Sequence, residues 1–198
     1  MHLGVSYAAT FPAAPIDAFK SDVATSGLEV LIERRRAEEV YAGLEWFLPT
    51  AVVVYIAKSY FDSFLKEMGK DHYIVLKRAL SNFGRHFLFG DHRVYIASTK
   101  GKIDPSLPFS HSFSIVAEVR PRVTAKLLLQ SDLNDSGYLE AVGAFINFLD
   151  HIHNGTRLQS EVKGFDGTWP IRGMLLFAFD TAEKQLEIVN AKSPAQRA

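Results

Sequence analysis

Residues 44–69 read LEWFLPTAVVVYIAKSYFDSFLKEMG, and the conformation assigned to this stretch decides the fold. Its apolar run extends from Trp46 to Ala57, broken only by Pro49 and Thr50, and ends at Lys58 and Ser59. A bilayer span needs about 20 apolar residues, so the run is too short to cross one. Beyond it the pattern is helical. Lys58, Asp62 and Lys66 recur on one face, while Ile56, Tyr60, Phe61, Phe64, Leu65 and Met68 fill the rest. Pro49 lacks an amide donor and suits a first helical turn, which places a helix start at Thr50, or a kink there if Tyr41 to Phe47 is also helical. Gly69 then closes the helix and Asp71 caps the next.

Val52, Val53, Val54, Tyr55 and Ile56 are consecutive, so on a helix their side chains point all round the axis and must be covered all round. A central core helix meets that condition, and so does a helix docked on a partner. The expected core is Val53, Ile56, Phe64, Leu76, Leu80, Val142, Ile146 and Leu149. The expected interaction surface draws on Trp46, Phe47, Val53, Tyr55, Tyr60 and Phe61.

Composition bounds the rest. The 198 residues are 47% hydrophobic and 22% charged, near the globular average, and no repeat or low-complexity linker divides them. One domain over residues 1–198 is expected, its tail frayed from about residue 192. Lys plus Arg and Asp plus Glu both number 22, and this zero net charge argues against nucleic acid as a partner. The absence of cysteine excludes disulfides, zinc ribbons, iron–sulfur sites and thiol nucleophiles. The N-terminus, MHLGVSYAATFPAAP, has no basic n-region and no adequate apolar core, so a cytoplasmic location is expected.

Elsewhere, Met1 to Ala8 reads as a strand, Pro15 to Ala24 as a short helix, and Leu28 to Arg34 as a strand with Leu28, Val30 and Ile32 on one face. Asp71 to about Phe89 is a helix with a Val75, Leu76, Ala79, Leu80 and Phe83 stripe. Gly90-Asp91 is a turn, and Arg93 to Ser98 a strand. Phe109 to Val119 alternates as an antiparallel strand with one wet face, and Val123 to Gln130 favours strand over helix. Ser136 to His153 is an amphipathic helix, with Ser136 as the cap and Gly155 just past its end. Ile171 to Phe179 and Gln185 to Asn190 form a hairpin. Together these predict an α+β fold: a single layered domain with a largely antiparallel or mixed sheet, packed against a central apolar helix pair and an amphipathic helix from the C-terminal half.

No motif names a reaction. His151 and His153 lie two apart on a helix and so point about 200° away from each other, which suits a cation at a helix C-terminus better than a metal pair. Asp91 and His92 precede one predicted strand and His111 lies within the next, so antiparallel pairing would bring the imidazoles near one another, and an Asp–His pair can act as a general base or bind metal. No serine or carboxylate partner is set by any spacing, and His111 shares a face with Phe109 and Phe113. The glycine loops match no phosphate-binding pattern, and no cofactor or metal is expected. The sequence therefore favours a non-catalytic interaction module or accessory subunit that meets a protein partner or its own copy through apolar helix surface. The alternatives are a hydrolase or metal-dependent enzyme using Asp91, His92 and His111, and a membrane-surface protein. The last is weakened by Glu45, Asp62 and Glu67, which offset the basic face an interfacial helix wants.

Overall fold

A computed structural model of the chain describes residues 1–9, 11–35, 50–61, 70–89, 108–155, 162–163 and 173–189. Their elements, in order, are β1 (Leu3–Ala8), α1 (Ala14–Ala24), β2 (Val30–Arg35), β3 (Val52–Ile56), α2 (Lys70–Leu88), β4 (Phe113–Arg120), β5 (Val123–Leu127), α3 (Asp135–His153), β6 (Val162–Lys163), β7 (Met174–Asp180) and β8 (Gln185–Ile188). The strands form one mixed sheet in the order β2-β1-β3-β4-β5-β7-β8-β6. Among the described residues the helices α1, α2 and α3 pack on it, so the α+β class expected from the sequence is the one observed.

The apolar stretch at its centre is not a helix. Val52–Ile56 is strand β3, antiparallel to β1 and parallel to β4 near the middle of the sheet. Its burial alternates: Val52, Val54 and Ile56 are fully buried, while Val53 and Tyr55 are half-buried on the opposite face. Five residues that are nearly all β-branched pack well on a pleated surface and lose side-chain freedom in a helix. A strand with apolar residues on both faces reads as a continuous apolar run, which on a helix would demand cover all round. Helical structure begins only afterwards, at residues 58–61.

Leu3, Val5 and Tyr7 of β1 bury the same face as Val52, Val54 and Ile56, and β4 adds Phe113, Ile115 and Ala117. Phe19 of α1 stacks on Phe83 of α2 with centroids 4.4 Å apart, and Phe83 meets Phe87 edge-on at 5.0 Å. The α2 and α3 helices are tied by the Tyr138 hydroxyl, which donates to the Leu80 carbonyl at 2.7 Å, and outside the core by a bidentate Arg85–Asp135 pair. Gly84 is small because the Tyr138 phenol and the Phe113 ring occupy the space a Cβ would need.

Local signals hold with small corrections. The cap of α3 is Asn134, whose Oδ1 accepts from the Gly137 amide at 2.8 Å; Ser136, the expected cap, lies inside the helix. Gly155 follows the helix with φ of 72°, the left-handed conformation a C′ glycine takes. Asp71 lies within α2 rather than capping it. The face of β4 expected to be wet carries Ser114, which is 1% exposed, and β4 is antiparallel to β5 but parallel to β3. In the β7–β8 turn, Asp180 Oδ1 accepts from the Ala182 and Glu183 amides, closing the expected hairpin. The expected turn at Gly90-Asp91, the strand at Arg93 to Ser98, the core residue Phe64 and the frayed tail lie outside the described residues. Among the described residues no helix is long and apolar enough to cross a membrane.

Candidate functional site

The helices take one face of the sheet; the chemistry gathers on the other. In β5, Ala125 and Leu127 turn to the helix face and are fully buried, so strand alternation sends Lys126 to the opposite face. There it is flanked by its register partners Val116 on β4 and Leu176 on β7. Its ammonium is not left in water: Lys126 is 5% exposed, and Nζ donates to Thr50 Oγ1 at 2.8 Å. Thr50, 5% exposed, also accepts from Ser114 Oγ at 3.0 Å. Lysine, threonine and serine thus form one buried hydrogen-bonded chain spanning β5, the entry to β3, and β4.

A second cation lies close by. Arg35 ends β2 in register with Ala8 of β1, whose amide in turn bonds the Ala51 carbonyl beside Thr50. Its Nε and one terminal nitrogen are buried and find no hydrogen-bond acceptor among the described residues. Burial, reinforced by the Arg35 charge, lowers the Lys126 amine from 10.5 to about 8. At pH 7 roughly a tenth of such amines are neutral, against roughly one in three thousand for an ordinary lysine. Further along the same face, burial and then the Glu118 carboxylate push the Tyr55 phenol up. At the sheet's edge Ser6 Oγ donates to Glu33 Oε2 at 3.2 Å.

The arrangement can present a partly neutral amine beside a hydroxyl that exchanges hydrogen bonds with it, together with guanidinium N–H groups suited to an oxyanion. Nζ donates to Thr50 when protonated and accepts from it when neutral, so the hydroxyl can follow the proton. Among the described residues no three His, Asp or Glu side chains come together in a way that could hold a metal ion.

The residues singled out from the sequence lie beside this hydrogen-bonded chain, in the core, or outside the described residues, where Asp91, His92, Trp46 and Phe47 fall. His111 is half-buried before β4, where its carbonyl accepts the Ala51 amide at 2.8 Å, so its main chain helps to hold the entry to β3 on which Thr50 sits. Val53 and Tyr55 are on the second sheet face, half-buried. Tyr60 and Phe61, expected at an interaction surface, are core residues at 0% and 2% exposure. The His153 ring stacks on Phe61 with centroids 4.2 Å apart and its Nε2 lies 2.9 Å from the Glu118 carbonyl oxygen, so packing holds it as well as the helix dipole.

Sequence reasoning missed Lys126, Thr50, Ser114 and Arg35. One signal was available: a lone lysine inside VTAKLLL, where the apolar neighbours on both sides leave it no exposed strand edge to reach. The pairing with Thr50, 76 positions away, had none. Comparison with known protein families, curated proteins and solved structures found no match, so function is argued from these residues alone.

Proposed function

We propose that the protein is a binding domain for a small anionic ligand, carboxylate or phosphate in character, held on the second sheet face by Arg35 with Lys126 beside it. The observation that carries this reading is the pair of buried Arg35 nitrogens without an acceptor among the described residues. A buried donor left unpaired costs roughly 1–3 kcal/mol, more when charged, and a planar guanidinium fork matches a carboxylate or phosphate better than any other partner. Lys126 adds a second positive group on the same face, in surroundings of low polarity where attraction to an anion is strong.

Thermal melts in acetate, oxalate, phosphate and sulfate at matched ionic strength test it. An anion at a hundred times its Kd stabilises the fold by about 2.7 kcal/mol. The Arg35→Gln variant should lose that gain. Equal melting temperatures in all anions and in chloride would refute the reading.

Association through apolar surface is the second reading. It is favoured by Leu31, 59% exposed on strand β2, which pairs only with β1 among the described residues. Sedimentation of the parent and of Leu31→Asp decides it: a dimer lost in the variant supports association, and a monomer at every concentration rejects it.

A further inference from the structure

We infer that the anion is a small 2-oxo acid and that Lys126 joins its carbonyl carbon as a Schiff base while Arg35 takes its carboxylate. This rests on the anion-binding reading and adds to it the chemistry of the neighbouring amine. An amine that attacks a carbonyl must be unprotonated, held in place and served by a group that can move protons. Lys126 is held by Thr50 Oγ1 at 2.8 Å, and Thr50 is held in turn by Ser114 at 3.0 Å. All three are at most 5% exposed, which keeps bulk water from competing with the reaction and limits the ligand to a small one. Burial beside a second cation is a recognised way to make a lysine nucleophilic, and the Lys126 amine is lowered in that sense.

The step balances without an oxidant or reductant. The Nζ lone pair attacks the carbonyl carbon, a C–N bond forms, and the carbonyl oxygen takes up a proton to give a carbinolamine. Nitrogen then loses a proton, the hydroxyl leaves as water, and a C=N bond replaces C=O. The Thr50 hydroxyl, already bonded to Nζ, passes the proton between nitrogen and the departing oxygen, and Ser114 steadies the Thr50 oxygen while it does so. A carboxylate on the adjacent carbon lies one bond from the reacting centre, on the sheet face that also carries Arg35, whose charge acts on Lys126.

Trapping with cyanoborohydride tests this. The full chain is incubated with glyoxylate and the reductant, and the modified lysines are located by peptide mass spectrometry. Lys126 should be labelled at least about tenfold faster than the mean of the other lysines, as a partly neutral amine requires. Arg35→Gln should slow glyoxylate labelling of Lys126 clearly more than its labelling by acetaldehyde, which has no carboxylate and responds only to the lost Arg35 charge that helps to lower the amine. Lys126→Arg, with circular dichroism confirming the fold, should abolish the adduct. Labelling spread evenly over the lysines, or a Lys126 rate indifferent to Arg35, would overturn the Schiff base. If oxalate still stabilises the parent in that case, anion binding survives; if it does not, both readings fall.

Discussion

Replacing Lys126 by methionine should change how stability depends on pH. The amine falls from 10.5 in the unfolded chain to about 8 in the folded one, chiefly through burial. That is roughly 2.5 units, or about 3 kcal/mol at 1.36 kcal/mol per unit. The sign follows from proton counts. Below about pH 8 the lysine is charged in both states and the folded state bears the whole cost of burying it. Between about pH 8 and 10.5 the unfolded chain binds more protons than the folded one, so stability rises with pH; above 10.5 the cost is gone. Methionine follows the lysine stem, one atom shorter, and has no charge. It also removes one donor to Thr50, worth about 1 kcal/mol, while Ser114 still supplies the other. Relative to the parent, Lys126→Met should therefore stand about 3 kcal/mol better at pH 7 than above about pH 10.5. Urea melts of both proteins at intervals from about pH 7 to 11 measure the difference, in which the tyrosines and other lysines cancel. A difference that stays level across the window from 8 to 10.5 would show that the lysine is not buried as the structure has it.

Three further outcomes follow from the packing. Gly84→Ala would put a Cβ against the Tyr138 phenol and 2.9 Å from Phe113 Cε1, so it should cost about 1–3 kcal/mol, whereas Gly4→Ala, 3.6 Å from Tyr55 Cβ, should fold without such a clash; equal urea midpoints for the two would refute the close approach of α2 and α3. Ile56→Ala and Ile146→Ala, both fully buried on the helix face, should each lose about 2–5 kcal/mol, and an unchanged midpoint in either would remove that residue from the core. Asn134→Ala should cost about 1 kcal/mol through the lost α3 cap, read from the same melts, while Ser136→Ala, which caps nothing, should cost less.

What the sequence by itself determined is whatever depends on neighbours along the chain. The 3.6-residue stripe of Val142, Ile146 and Leu149 makes an amphipathic helix with one obvious buried face, and Gly155 ends it because only a left-handed residue closes such a turn easily. The Asp180 to Lys184 turn is local in the same way. Val52 to Ile56 shows where local reading stops. Five apolar residues carry the same pattern whether a helix is wrapped on all sides or a strand is covered on both faces, and only the pairing of β3 with β1 and β4 selects the strand. The candidate site lies almost wholly beyond local reading. Arg35, Thr50, Ser114 and Lys126 belong to four separate parts of the chain, and only the sheet brings them to one face. Strand alternation could have marked Lys126 as facing away from Ala125 and Leu127; that this face is buried, with a threonine hydroxyl waiting and a second cation nearby, was decided by the tertiary structure, because burial and charge are properties of what surrounds a residue in space.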